Sequence, residues 1–599
     1  MKLRLLLLVV ICIILNNSCF LVDFSSSSGD TNINVSDYSS GVAPLAVFFD
    51  GEDYGAAYAD EPFHDLEYRW NFGDTANENE TWDYGARPGE ILKNETTGPV
   101  SAHVYEVPGD YRATLTIWDG SDEAVKTVTY SITVTDPETV FAESTYAVSF
   151  DGDFSDAPSG ATELTSSDFD SAMATALAAG AKRILFKAGQ SFDFDSTTTI
   201  SGDGPYLVGS FGSGDSPVIT ATDGSVYGIY YQADDIRVMD LEFDGASFTD
   251  STVRAASIYA DNALLLRVYA HDLGCLAACG GSNIAIVECE EYNIVGGSGN
   301  MGIWAADVFG FFVAGNKFDN NSGGEHCLRY QGGTEGVFCS NYFTKAASMK
   351  HLLTIRGDGD EEYVSGRHVV NDNYFDGTDS PGTFLNTIAP QNSVQYEPIE
   401  DVIWERNYHR SGSSTTRHLV VTAYKVTVRN NLCDTSDASS SVCFSLSGPT
   451  GDVGLPDPYD HKLYNNTIYS NGTGGLTGIQ IYSEEGVIYN TVIKNNFLYA
   501  PNTTLSGENN GGPNMYTDYE SDGDAIISSN TLNADISSES TDVFLHLAVQ
   551  PPSDDPNDWI LQSNSYGASR GEDVPVWSDY FGESLYDSSS RNLGAILAQ

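Results

Sequence analysis

Three stretches decide the architecture: Val313-Ala314-Gly315-Asn316-Lys317-Phe318, Phe338-Cys339-Ser340-Asn341-Tyr342-Phe343 and Val370-Asn371-Asp372-Asn373-Tyr374-Phe375. In each, a short strand runs into an Asn followed closely by an aromatic residue. The Asn recurs at 407, 431, 466, 496 and 530, so the intervals from Asn316 are 25, 32, 34, 24, 35, 30 and 34 residues. A motif with a near-constant minimum period and irregular excesses reads as a solenoid whose coils carry loops of varying length. Each coil advances the chain by about 4.8 Å, so equivalent residues stack, and the asparagines are expected to form a structural ladder of amides bonded from coil to coil. Earlier coils keep the spacing without Asn, through Leu241-Glu242-Phe243, Val268-Tyr269 and Val287-Glu288-Cys289.

Upstream, Ser167-Asp168 precedes the Ala-rich run Ser171 to Ala179, and Ser or Asp there would cap a short helix. The apolar strands Arg183 to Gly189 and Tyr206 to Gly212 follow. A capping helix leading into closely spaced strands resembles the start of pectate-lyase-like proteins. That resemblance implies an all-β fold, a right-handed parallel β-helix over residues 140–599.

Residues 40–136 alternate apolar and polar positions between turn signals, as in Tyr111 to Trp118 and Val128 to Val134, which reads as a β-sandwich. Within it stand Trp70-Asn71-Phe72-Gly73-Asp74, His103-Val104-Tyr105 and Gly109-Asp110-Tyr111. In that order these motifs resemble a PKD domain, which implies a spacer or weak sugar-binding module in a secreted hydrolase. Its Trp and His are expected in the core.

Residues 1–19 carry Lys2 and Arg4 and then an apolar run from Leu5 to Leu15, too short to span a bilayer, and read as an export signal. Cys19 and the Ser-rich linker at 20–39 leave two readings open, ordinary cleavage or a lipoprotein tethered at its N-terminus. The expected location is secreted or on the outer surface. Asp plus Glu number 84 against 28 Lys plus Arg, a net charge of −56 on a chain that is 41% hydrophobic. This is globular composition. The repulsive field argues against nucleic acid as a partner, and against any membrane contact beyond such an anchor. A monomer is expected. Seven cysteines lie beyond the signal region, and Cys275/Cys279, Cys327/Cys339 and Cys433/Cys443 fit either local disulfides or buried thiols, with Cys289 unpaired.

The chemistry is expected where positive charge collects. Ten of the 28 basic residues fall between Arg329 and Arg429, with five of ten histidines in or beside that stretch. In so acidic a chain this is a candidate grip for an anionic polysaccharide. His326-Cys327-Leu328-Arg329-Tyr330-Gln331 and His351-Leu352-Leu353-Thr354-Ile355-Arg356 align at an offset of 25, and Arg417-His418 repeats the start. If Leu353 and Ile355 point inward, Lys350, Thr354 and Arg356 point outward, as do Glu325, Arg329 and Gln331 one coil below. His326 and His351 fall on the inward phase.

Abstracting the C5 proton of a uronic acid requires a neutralised carboxylate and a base. The strand Leu352 to Gly357 is similar to the Arg-bearing strand of the alginate lyase and chondroitinase B family, which implies β-elimination on a uronate-containing glycan such as alginate. That family's lysine would fall at Gln331-Gly332, so His326, His351, Lys350 or Tyr330 must supply the base. The expected catalytic set is Arg356, Arg329, His351, His326 and Lys350, with Gln331, Arg367, His368, Arg417 and Tyr330 binding substrate. Asp358, Asp360 and Glu361 are hard oxygen ligands suited to calcium. Two rivals stay open. A glycoside hydrolase would pair carboxylates among Glu325, Asp307, Asp358 and Glu361, and a surface adhesin would bind polysaccharide without catalysis.

Overall fold

Alternating burial along Gly109–Trp118 and Lys126–Thr135 turns Tyr111, Ala113, Leu115, Ile117, Ile132 and Val134 into one core. These strands join Ser40–Val42, Glu67–Asn71 and Glu95–Thr97 in a five-stranded sheet, and Leu45–Asp50 pairs antiparallel with Val100–Tyr105 beside it. Trp70 is buried and donates to the Gly98 carbonyl at 2.8 Å. His103 stacks on Phe72 and lies 3.1 Å from Asp74. Both are core residues, as expected. The computed structural model describes residues 39–500 apart from loop stretches, the longest being 358–363, 390–398 and 448–458. Beyond 500 it describes the strands Asn514–Asp518, Ile526–Ser528 and Thr531–Leu532 and a few residues at 574–581 and 595.

The helix Phe169–Ala178 is capped by Asp168, whose carboxylate accepts from the Ser171 N–H at 2.7 Å. It buries Phe169, Ala172, Met173 and Ala176 against the first coils. From there the chain winds as a parallel β-helix, with strands of successive coils paired in register in sheets of 24 and 13 strands. The larger sheet is bent, so each coil lays two runs across it before crossing to the smaller one. Leu328–Cys339, for example, pairs with Leu353–Arg356 through its first half and with Ser365–Asn371 through its second.

The ladder sits where the bent sheet hands over to the smaller one. Asn316, Asn341, Asn373, Asn407, Asn431, Asn466 and Asn496 are all fully buried. Each Nδ2 donates to the next Oδ1, at 2.8 to 3.2 Å from Asn316 through Asn466 to Asn496. Cys289 holds the position below, its N–H donating to Asn316 Oδ1 at 2.8 Å. Each ladder residue follows a corner residue of positive φ, from Glu288 at 53° through Asp372 at 59° to Asn495 at 59°. Asn530 lies outside the described residues. The seven cysteines are all buried free thiols, so the disulfide reading gives way to core packing.

The sandwich is packed along the flank of the solenoid. Phe48, Phe63, Trp82, Val100, Ala102 and Val104 close over Leu264, Leu266, Val287, Phe312, Val337, Val369 and Ile403. Polar contacts line this seam. Arg237 donates to the Val42 and Pro44 carbonyls, Lys462 pairs with Glu61 and Asp65, and Arg406 joins Asp372, Glu405 and Thr97.

Candidate active site

Alternation places the candidate residues on the outer face of the bent sheet, on the side away from the seam. Leu353 and Ile355 are fully buried, and Arg356, the next residue, points out, half-buried. The register pairs Trp304 with Arg329 with Thr354, and Ala306 with Gln331 with Arg356. Arg329 and Arg356 therefore stand one coil and two residues apart, roughly 8 Å between backbones. Gln331 lies between them and accepts a hydrogen bond from Arg329 Nη2. Arg356 has no hydrogen-bond or ion-pair partner among the described residues. Burial lowers its pKa and so does the like charge of Arg329, with Glu325 opposing.

At the start of these strands His326 and His351 stack, ring centroids 5.1 Å apart, and His326 Nδ1 accepts the His351 N–H at 3.0 Å. His351 Nδ1 is buried without a hydrogen-bond partner among the described residues. Burial, then His351, Lys350 and the two arginines, push His326 down to about 2. Burial, then Arg356 and Lys350, bring His351 down to about 4. Both imidazoles are neutral near pH 7. Lys350 pairs with Glu325 at 3.0 Å, and the Glu325 carboxylate also accepts the Gly299 N–H at 3.2 Å. The His351 ring lies parallel to Phe384, whose centroid is 6.3 Å away, and Arg417 covers the other side of Phe384 at 4.9 Å.

The face thus brings together Arg329, Arg356, Gln331, His326, His351, Lys350 and Arg417. Three expected substrate-binding residues are elsewhere. Tyr330 is wholly interior, its hydroxyl donating to the Val308 carbonyl at 2.7 Å. His368 is wholly interior too, edge-on to Tyr330, with Nδ1 accepting the Gly336 N–H at 3.1 Å. Arg367 occupies a corner at φ 61° and faces the sandwich, paired with Asp50, Glu52 and Glu335. The basic stretch that looks like one cluster in sequence is split by the fold. Arg406, Lys425 and Arg429 also serve the seam or its rim, pairing with Glu405, Glu400 and Asp401.

Asp358, Asp360 and Glu361 lie outside the described residues. On the smaller sheet, Asp244, His271 and Asp272 approach within ligand distance of one another. Burial works to lower the His271 pKa, but hydrogen bonds to Asp272 and Glu242 prevail and raise it, so the group is satisfied as an ion-pair cluster. Trp304 and Phe384 are the site residues that sequence reasoning missed. Both become visible once the strands are set in register, because they share columns with Arg329 and Arg417.

Residues 46–132 match the PKD domain family. No curated protein matches the chain. Among solved structures it is similar to the A-module of the Azotobacter vinelandii mannuronan C-5 epimerase at 15% identity, covering 60% of this chain and 100% of that one, with a TM-score of 0.37. It is similar to the catalytic domain of a GH87 alpha-1,3-glucanase at 11% identity, covering 81% and 91%, with a TM-score of 0.39. It is also similar to an alginate lyase from a Paenibacillus species at 12% identity, covering 60% and 97%, with a TM-score of 0.27.

Proposed function

We propose that this chain is an exported polysaccharide-degrading enzyme, a lyase acting on a uronate-containing glycan at the Arg329/Arg356 face. The observation that carries the reading is the Arg356 guanidinium, without an ion-pair partner among the described residues, standing beside Arg329 and Gln331, with the neutral His351 at the head of the same strand. A sugar carboxylate between the two guanidiniums loses negative charge to them, which acidifies the proton on C5. His351 is the base we favour. Burial does most to bring its pKa down to about 4, and Arg356 and Lys350 add to this by opposing a third positive charge. A bound carboxylate offsets the opposition of these two charges and raises the imidazole pKa from that value. As the C5–H bond breaks, its electron pair forms the C4–C5 double bond, the C4–O bond breaks, and the departing oxygen takes up a proton.

Incubation with alginate, chondroitin, pectin and sulfated algal glycans should release unsaturated uronates, seen as ultraviolet absorbance. Arg356→Ala should lower kcat/KM about a hundredfold or more, and an unchanged rate would move the site elsewhere. A second reading, the glycoside hydrolase, is favoured by Glu325, a carboxylate in the same cluster. New reducing ends without the absorbance would select it, and binding with neither would select an adhesin.

A further inference from the structure

We infer that the bound glycan continues from the arginines towards the N-terminal coils, onto a stacking platform made by Tyr230, Tyr259 and Trp304. The inference rests on the glycan reading above and extends it to substrate length. Trp304 shares a column with Arg329, and three coils further down that column, past Ala278 and Ser257, lies Tyr230. Tyr259 stands two residues beyond Ser257, on the same outward phase, and its ring is 5.8 Å from that of Tyr230.

Between the tyrosines and Trp304 the side chains are small. A Cβ on Gly280 would meet Tyr259 Cδ1 at 3.2 Å, so the tyrosine leans along the axis over the next coil. The Ser257 hydroxyl in this floor is buried and has no hydrogen-bond partner among the described residues. Tyr259 is 37% exposed, so its ring is open to solvent beside this floor of small side chains. Aromatic faces set over small residues offer the flat apolar contact that the C–H faces of a pyranose ring require. From Tyr230 to Arg329 is four coil steps, roughly 19 Å, a distance that only an oligosaccharide of several units spans. Short substrates would touch the arginines alone.

The test compares Tyr230→Ala/Tyr259→Ala with Tyr230→Phe/Tyr259→Phe by affinity electrophoresis through gels holding alginate or polygalacturonate, and by turnover of polymer against di- and trisaccharides. The Ala pair should bind polymer about tenfold more weakly, the Phe pair should bind as the parent does, and short substrates should be indifferent to both. Should the Ala pair fold poorly, the more exposed Tyr259→Ala alone is read, with Tyr259→Phe beside it. Unchanged polymer retention, or equal loss in the Phe variants, would overturn the platform. The same gels run on Arg356→Ala separate the two ideas: retention without turnover leaves the platform standing whatever becomes of the lyase.

Discussion

Each ladder asparagine spends its whole hydrogen-bonding capacity. Asn373 Oδ1 accepts from both the backbone and the side chain of Asn341, and its Nδ2 donates to Asn407 Oδ1 and to the Phe338 and Asn371 carbonyls. Asn373→Ala would orphan two buried N–H groups of Asn341 at about 1–3 kcal/mol each. A loss of about 3 kcal/mol in urea unfolding is expected, and a loss below 1 kcal/mol would deny the ladder its role. The residues that sequence placed well were those whose direction alternation alone decides, such as Leu353, Ile355 and Arg356. Arg367 and His368 escaped because a corner at Arg367 changes the phase, and nothing near them in sequence announces Asp50, Glu52 or Tyr330.

A coil carries its chemistry on one face and its histidines partly inside. His368, His418 and His461 are interior, and burial foremost brings each down to about 3 from an ordinary 6.5. Below pH 6.5 the unfolded chain takes up protons that the folded chain refuses. Stability should therefore be independent of these groups above pH 6.5, and fall by several kcal/mol as pH drops towards 3. His418→Gln should flatten the urea midpoint between pH 4 and 6.5; an unaltered pH profile would show that His418 takes no part. The repeat period and the strand registers were legible in sequence because stacking enforces them. The division of the basic stretch between the open face and the seam was not, since it depends on a second domain that meets the coils only in three dimensions.

At the scale of the molecule, the sandwich and the solenoid share one buried seam. Glu405 is a clear instance: burial raises its pKa, yet Arg406, Arg429 and Thr97 hold it down at about 2. His64, from the sandwich, is buried between Asp401 and Thr427, with burial keeping it below its usual pKa. One cooperative thermal transition is expected by calorimetry, the two domains melting together. Two separate transitions would show the seam to be weak.

The contacts from Arg237 to Lys462 cross eight coil steps of the solenoid, roughly 38 Å. The sandwich is thus a gauge laid against a ruled scale. Solenoids commonly gain and lose whole turns as their genes recombine, but removing one turn here would shift every later tooth by about 4.8 Å against a rigid counterpart. A change of length that leaves the gauge in step would have to fall within a turn and not between turns.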